Sequence, residues 1–136
     1  PILAKTILNK KYTPHEAQAE GRTAGNALGQ SYGLLNNRAA IALHNRLLKS
    51  DQKLNIKPIS HIHDSQYFLA RKNSDTIKWL NDNLIECMEW QELPEIKHNQ
   101  VKLGGELELF MDNWASGIPI PNKASKEAIQ AILLRE

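Results

Sequence analysis

The sequence has a single cysteine, Cys87, so no internal disulfide can form. No apolar run approaches the length needed to cross a bilayer, and the opening Pro1-Ile2-Leu3-Ala4-Lys5 lacks the pattern of a signal peptide. Internal repeats and low-complexity segments are absent, and so is a strong excess of one charge. The net charge of +2 suits a nucleic-acid binder without identifying one. These absences leave one cytoplasmic globular domain, with no membrane partner, as the expectation. With 41% hydrophobic and 24% charged residues among 136, the chain has the means to build a core and no signature of disorder. Cys87 falls in a helical pattern and reads as a small buried hydrophobe.

Residues 1–12 read as a strand or irregular lead-in. Thr13-Pro14-His15-Glu16 then marks a helix start: Thr13 caps, Pro14 suits the first helical position and Glu16 completes a capping box. That helix is expected to run to about Ala27, weakened by Gly21, Gly25 and Gly29, small residues that let another backbone approach. A second helix, from about Leu28 to Lys49, has Leu34, Leu35, Ile41, Ala42, Leu47 and Leu48 near helical spacing as packing residues, with Arg38, Asn45 and Arg46 on other faces. Asn26, Gln30 and Tyr32 would gather at its N-terminal turn, where amides and helix dipole favour phosphate. Asn and Gln side chains both donate and accept, which fits minor-groove contacts that do not choose a sequence.

The centre of the chain is His61-Ile62-His63-Asp64-Ser65-Gln66-Tyr67-Phe68. Ile59, Ile62 and Tyr67-Phe68-Leu69 have strand character, and His63-Asp64-Ser65 interrupts them with polar residues suited to a tight connection. The expectation is a hairpin with a carboxylate at its tip, a hard oxygen ligand suited to a divalent cation. Beyond it, Asn73 or Ser74 caps a helix with Ile77, Leu80, Leu84, Ile85 and Met88 at core spacing and Lys78, Asn81, Asp82 and Glu86 outward. Trp79 and Trp90 read as packing residues. A strand from about Gln100 to Leu109, bent at Gly104-Gly105, is expected to pair beside the hairpin. Gly117-Ile118-Pro119-Ile120-Pro121 reads as an extended linker, and Ser125 as the cap of a short amphipathic helix carrying Ile129, Ile132 and Leu133.

Three blocks, in order, carry a resemblance. Ile62-His63-Asp64-Ser65 resembles the V-H-D-E motif of family A DNA polymerases, the family of bacterial DNA polymerase I and many phage replicative enzymes. Arg22-Thr23-Ala24-Gly25-Asn26-Ala27-Leu28-Gly29-Gln30-Ser31-Tyr32-Gly33 resembles the family block R-x-A-x-N-x-x-x-Q-[GS], with a Gln-Ser-x-Gly ending of phage-like form. Asp112-Asn113-Trp114 resembles the Asn-Trp pair near the family's C-terminus. The resemblance covers about residues 1–116 and leaves 117–136 as a linker and C-terminal helix. It implies an α+β fold, part of a polymerase palm: a small antiparallel sheet with the motif hairpin, packed against long helices.

The resemblance also implies roles. Asp64 becomes one of two carboxylates that hold Mg²⁺ or Mn²⁺, His63 helps position the primer terminus, and Arg22, Asn26 and Gln30 contact the primer-template DNA. Deoxynucleoside triphosphate would be the other substrate. The second carboxylate and the nucleotide-binding Lys and Arg of the fingers have no counterpart in this sequence, so the chain is expected to act as a C-terminal piece. The N-terminal remainder of the polymerase would complete the site, phage-encoded and in a bacterial host cell, and the isolated piece would be inactive. Ser65 stands where the family usually has an acidic residue and removes an auxiliary carboxylate. Glu106 and Asp112 read as a solvated strand face rather than further ligands.

Two other readings compete. His61-Ile62-His63 has the H-x-H spacing of a zinc amidohydrolase, but such enzymes need a barrel of roughly 250 residues. The alternative is a non-catalytic module, derived from a polymerase, that binds nucleic acid or a partner through the N-terminal helices. Tightly bound zinc would favour the first, and primer extension that depends on Asp64 would exclude the second.

Overall fold

The computed structural model describes residues 12–134; the expected lead-in lies almost wholly outside them. Within that range the fold is α+β, with three α-helices and two antiparallel two-stranded sheets. The order is α1 (Pro14–Leu48), a 3₁₀ turn (Asp51–Leu54), β1 (Ile56–Ile62), β2 (Ser65–Ala70), α2 (Ser74–Met88), β3 (Leu107–Phe110), β4 (Gly117–Ile120) and α3 (Lys126–Leu133). The chain divides into two compact units, Pro1–Leu35 and Asn36–Glu136.

The first unit contributes the opening turns of α1. Pro14 begins the helix as expected, but the break expected near Ala27 does not occur: one helix runs through to Leu48. Each glycine costs a helix about 1 kcal/mol relative to alanine yet keeps its N–H, and no proline intervenes between Pro14 and Pro58 to remove one. Thr23 and Ser31 donate their hydroxyls to the carbonyls of Ala19 and Ala27, so they too stay within the helix.

The second unit has one core. Ala39, Leu43 and Leu47 of α1 recur every fourth residue and meet Ile56 at the start of β1, Ile77, Leu80 and Leu84 of α2, Leu107 of β3, Ile120 of β4 and Ile129 and Leu133 of α3. The buried face of α1 is only partly the one expected: Leu47 is buried and Ala42 packs against the core, but Leu34, Ile41 and Leu48 are exposed. Both stripes satisfy the helical period. Asn73 caps α2, accepting from the Thr76 N–H at 2.7 Å, and Ser125 caps α3 by accepting from the Ala128 N–H at 3.2 Å. Asn81, expected outward, is fully buried and donates to the Pro121 carbonyl at 2.9 Å, joining α2 to the segment before α3. Trp79 and Trp90 are half-buried, and the Arg38 guanidinium lies 3.9 Å over the Trp90 ring while bonding the Cys87 carbonyl. Cys87 is buried, and burial pushes its thiol pKa up.

The strand expected from Gln100 is shorter and has a different partner. Regular pairing begins only at Leu107, and β3 pairs with β4 in a sheet of its own rather than beside the hairpin. Gly117–Ile120, expected as a linker, is extended but forms β4, with Pro119 opposite Glu108. Proline lacks an N–H and is tolerated in such a two-stranded edge. A Cβ at Gly117 would stand 3.0 Å from Phe110 Cε1, so glycine there lets the ring lie close to the backbone.

A surface ion pair joins two helices: Arg46 of α1 meets Glu86 of α2 at 2.8 and 3.2 Å. The hydrogen bond from Arg46 holds the Glu86 carboxyl below its usual range. A depressed folded-state pKa gives stability that is present above the unfolded carboxyl's titration and lost as pH falls through the folded value. Glu86 is largely exposed and Arg46 partly so, so the contribution is under ~1 kcal/mol. Acid unfolding of wild type followed by circular dichroism should steepen below about pH 4.5 relative to Glu86→Gln.

Candidate functional site

An isolated two-stranded hairpin is marginal in water, and β1–β2 is anchored chiefly at its base. Ile56 is buried there, with Phe68 and Ala70 packed against the core, while the rest of β1 is exposed. The register runs from Ile56 opposite Ala70 to Ile62 opposite Ser65, with an irregularity between Pro58 and Ser60. His63 and Asp64 are therefore the two residues of the turn, as the polar interruption in the sequence predicts. His63 has φ 53°, in the left-handed region that hairpin turns demand and that side chains other than glycine resist. Asp64 is exposed.

Beneath the tip, Asn36 of α1 is 2% exposed and makes three contacts. Its Nδ2 lies 3.1 Å from the His63 carbonyl and 2.5 Å from His61 Nε2, and its Oδ1 accepts from Gln66 Nε2 at 2.7 Å. The His63 carbonyl can only accept, which fixes which end of the amide faces it. The second N–H then faces His61 Nε2, a contact that is a hydrogen bond when that nitrogen accepts. Every donor of a buried amide is thereby used. Gln66 also reaches the Asn36 carbonyl at 3.4 Å and the Met88 sulfur at 3.8 Å.

The sequence marks neither Asn36 nor Gln66 as a site residue, and His61 only within the competing H-x-H pair. A signal was present: Asn36 stands three, seven and eleven residues before Ala39, Leu43 and Leu47, so it is a polar residue on the buried stripe.

Farther along, Trp114 sits 5.1 Å from the Tyr67 ring and 5.8 Å from the Phe110 ring, centroid to centroid, linking β2 to the β3–β4 sheet. Asn113 beside it accepts from the Ala115 N–H at 2.8 Å. A cavity of about 340 Å³ opens between α1, the hairpin and α2, lined mainly by apolar side chains including Ile41, Leu43, Ile59, Phe68 and Trp79.

In the first unit, Arg22, Asn26 and Gln30 are exposed and follow one another every fourth residue, which sets them along one side of α1. Gln30, Asn26 and Tyr32 lie within the helix, not at its N-terminus, so the expected phosphate site of free amides and dipole does not exist there. No side chain of the described residues lies within 4 Å of a Cβ built on Gly25, Gly29 or Gly33.

Among the described residues no cluster of three or more His, Cys, Asp or Glu side chains is arranged to hold a metal. Asp64 thus offers a single carboxylate, and Glu106 and Asp112 are exposed elsewhere. No described helix is long and apolar enough to cross a membrane. No protein-family model matches the chain, and no curated protein or solved structure is close enough to count as a relative.

Proposed function

We propose that this chain is the portion of a phage-type family A DNA polymerase that carries the hairpin of the catalytic metal site. The observation that supports it most is the placement of His63 and Asp64 as the two residues of a tight turn, with the carboxylate exposed. Such a carboxylate suits Mg²⁺ or Mn²⁺ in a site that fills its coordination shell with substrate phosphate, water and one further acid. A bound metal pair would activate the primer hydroxyl and neutralise charge on the triphosphate.

The chain's own residues have distinct tasks in this reading. Asp64 holds its side chain ready as a ligand, and His63 stands next to it to meet the primer terminus. Arg22 pairs with the phosphate backbone, while Asn26 and Gln30 hydrogen bond along the primer-template without reading sequence. A second carboxylate and the contacts to the incoming deoxynucleoside triphosphate come from the N-terminal remainder of the polymerase. The assembled enzyme works in the cytoplasm of a bacterial host and is phage-encoded.

Gln30→Ala separates this from a role in folding. Loss of one hydrogen bond worth ~0.5–1.5 kcal/mol corresponds to a roughly two- to twelvefold slower extension of primed template by the assembled polymerase. Thermal stability should change little, because Gln30 is exposed. An unchanged extension rate contradicts the assigned contact.

A further inference from the structure

We infer that Asn36 is a positioning residue for the metal-site turn: its amide fixes the His61 tautomer and holds the His63 carbonyl, and so sets where the Asp64 carboxylate stands. What that carboxylate does rests on the polymerase reading; the clamp itself rests on geometry alone.

A two-residue turn with a histidine at φ 53° is strained, and strain persists only where surrounding structure over-determines it. The core grips the other end of the hairpin, through Ile56, Phe68 and Ala70, and β1 beyond Ile56 has no buried residue. Near the tip the polar restraint comes from Asn36. It binds β1 through His61, the turn through the His63 carbonyl, and β2 through Gln66, so one buried amide grips both strands and the connection between them. A polar residue in the middle of a helix and on its buried stripe is unfavourable by propensity and by desolvation. An apolar residue of similar size at this point would remove the Asn36 donor from the His63 carbonyl.

The arrangement has a chemical signature that a merely space-filling residue would lack. An N–H aimed at His61 Nε2 requires that nitrogen to be unprotonated, with the proton on Nδ1. An aspartate at position 36 would present only acceptors; it would draw a proton onto His61 Nε2 and repel the His63 carbonyl.

The test has two arms. In the full chain, nitrogen-15 correlation spectra of the imidazoles, taken where His61 is neutral, should show Nδ1 protonated and Nε2 bare. A ring protonated on Nε2 overturns the inference without any mutation. Asn36→Ala should release the tautomer and shift the amide resonances of His63 and Asp64, while Asn36→Asp should leave Nε2 protonated. In the assembled polymerase, Asn36→Ala should slow extension roughly ten- to a hundredfold, as loss of a group that orients a ligand does, with the KM for nucleotide unchanged. An unaltered rate in an active assembly overturns the positioning role. Should the wild-type assembly extend no primer, the polymerase reading fails by itself. The clamp is then decided by the spectra, and unchanged His63 and Asp64 resonances in Asn36→Ala refute it.

Discussion

Asp64→Asn is expected to abolish primer extension by the assembled polymerase while leaving the fold intact. The substitution keeps the side chain's size and removes its charge, so on the proposed reading it deletes a metal ligand and little else. Metal stabilisation of transition-state charge is worth several kcal/mol, and ~1.4 kcal/mol is tenfold in rate, so a loss of about a thousandfold or more follows. Stability should move by less than ~0.5 kcal/mol, because Asp64 is exposed at a turn and makes no ion pair among the described residues. Rapid-quench extension and thermal melting of the same preparation read the two quantities. A variant that extends primers within tenfold of wild type would remove Asp64 from the chemistry. One that unfolds would make it a structural residue.

Ile129→Ala carries the largest expected cost to stability. Ile129 is completely buried, and with Leu133 it seats α3 against the core that α2 and the β3–β4 sheet share. Lys126 adds an ion pair to Asp75 at 2.7 Å, and Lys78 donates to the Ala124 carbonyl at 3.3 Å, but these are surface contacts of small worth. Truncating a buried isoleucine costs ~2–5 kcal/mol, a large share of the ~5–15 kcal/mol that holds a domain together. The melting temperature should fall by about eight degrees or more, at about 4–8 °C per kcal/mol for a unit of this size. A fall of only a degree or two would mean that α3 is an appendage rather than part of the core. Extension by whatever fraction remains folded should be unaffected, which separates this variant from Asp64→Asn.

The parts of the fold that sequence reveals are those whose signals are local. The hairpin is legible because His63 and Asp64 interrupt two β-branched and aromatic runs, and the caps Asn73 and Ser125 announce α2 and α3 within a few residues. What sequence conceals depends on partners far along the chain. Leu107–Phe110 and Gly117–Ile120 find each other across a connection, and the prolines around Ile120 resemble a linker until that pairing is known. On α1, Leu34, Ile41 and Leu48 compete with Ala39, Leu43 and Leu47 as the buried stripe, and helical spacing fits both. Glycines at 25, 29 and 33 weaken a helix without ending it, so a continuous α1 reads as two. Asn36 escapes notice for a related reason: on a core stripe a polar side chain looks like an error of register, when here the stripe is right and the amide has three partners waiting.

The candidate site divides in the same way. Asp64 and His63 are marked by motif and by turn chemistry, and their geometry follows from the hairpin register. Arg22, Asn26 and Gln30 are marked by motif alone, and the helix sets them at four-residue intervals.

The proposed function requires a divalent ion at the hairpin tip. Crystals of the assembled polymerase with primer-template and an incoming nucleotide, soaked in Mn²⁺, would show its position by anomalous scattering. The expected result is a peak about 2.1 Å from the Asp64 carboxylate, shared with a second acid from the remainder of the enzyme. Manganese held by other acids, with Asp64 turned to solvent, would contradict the central claim.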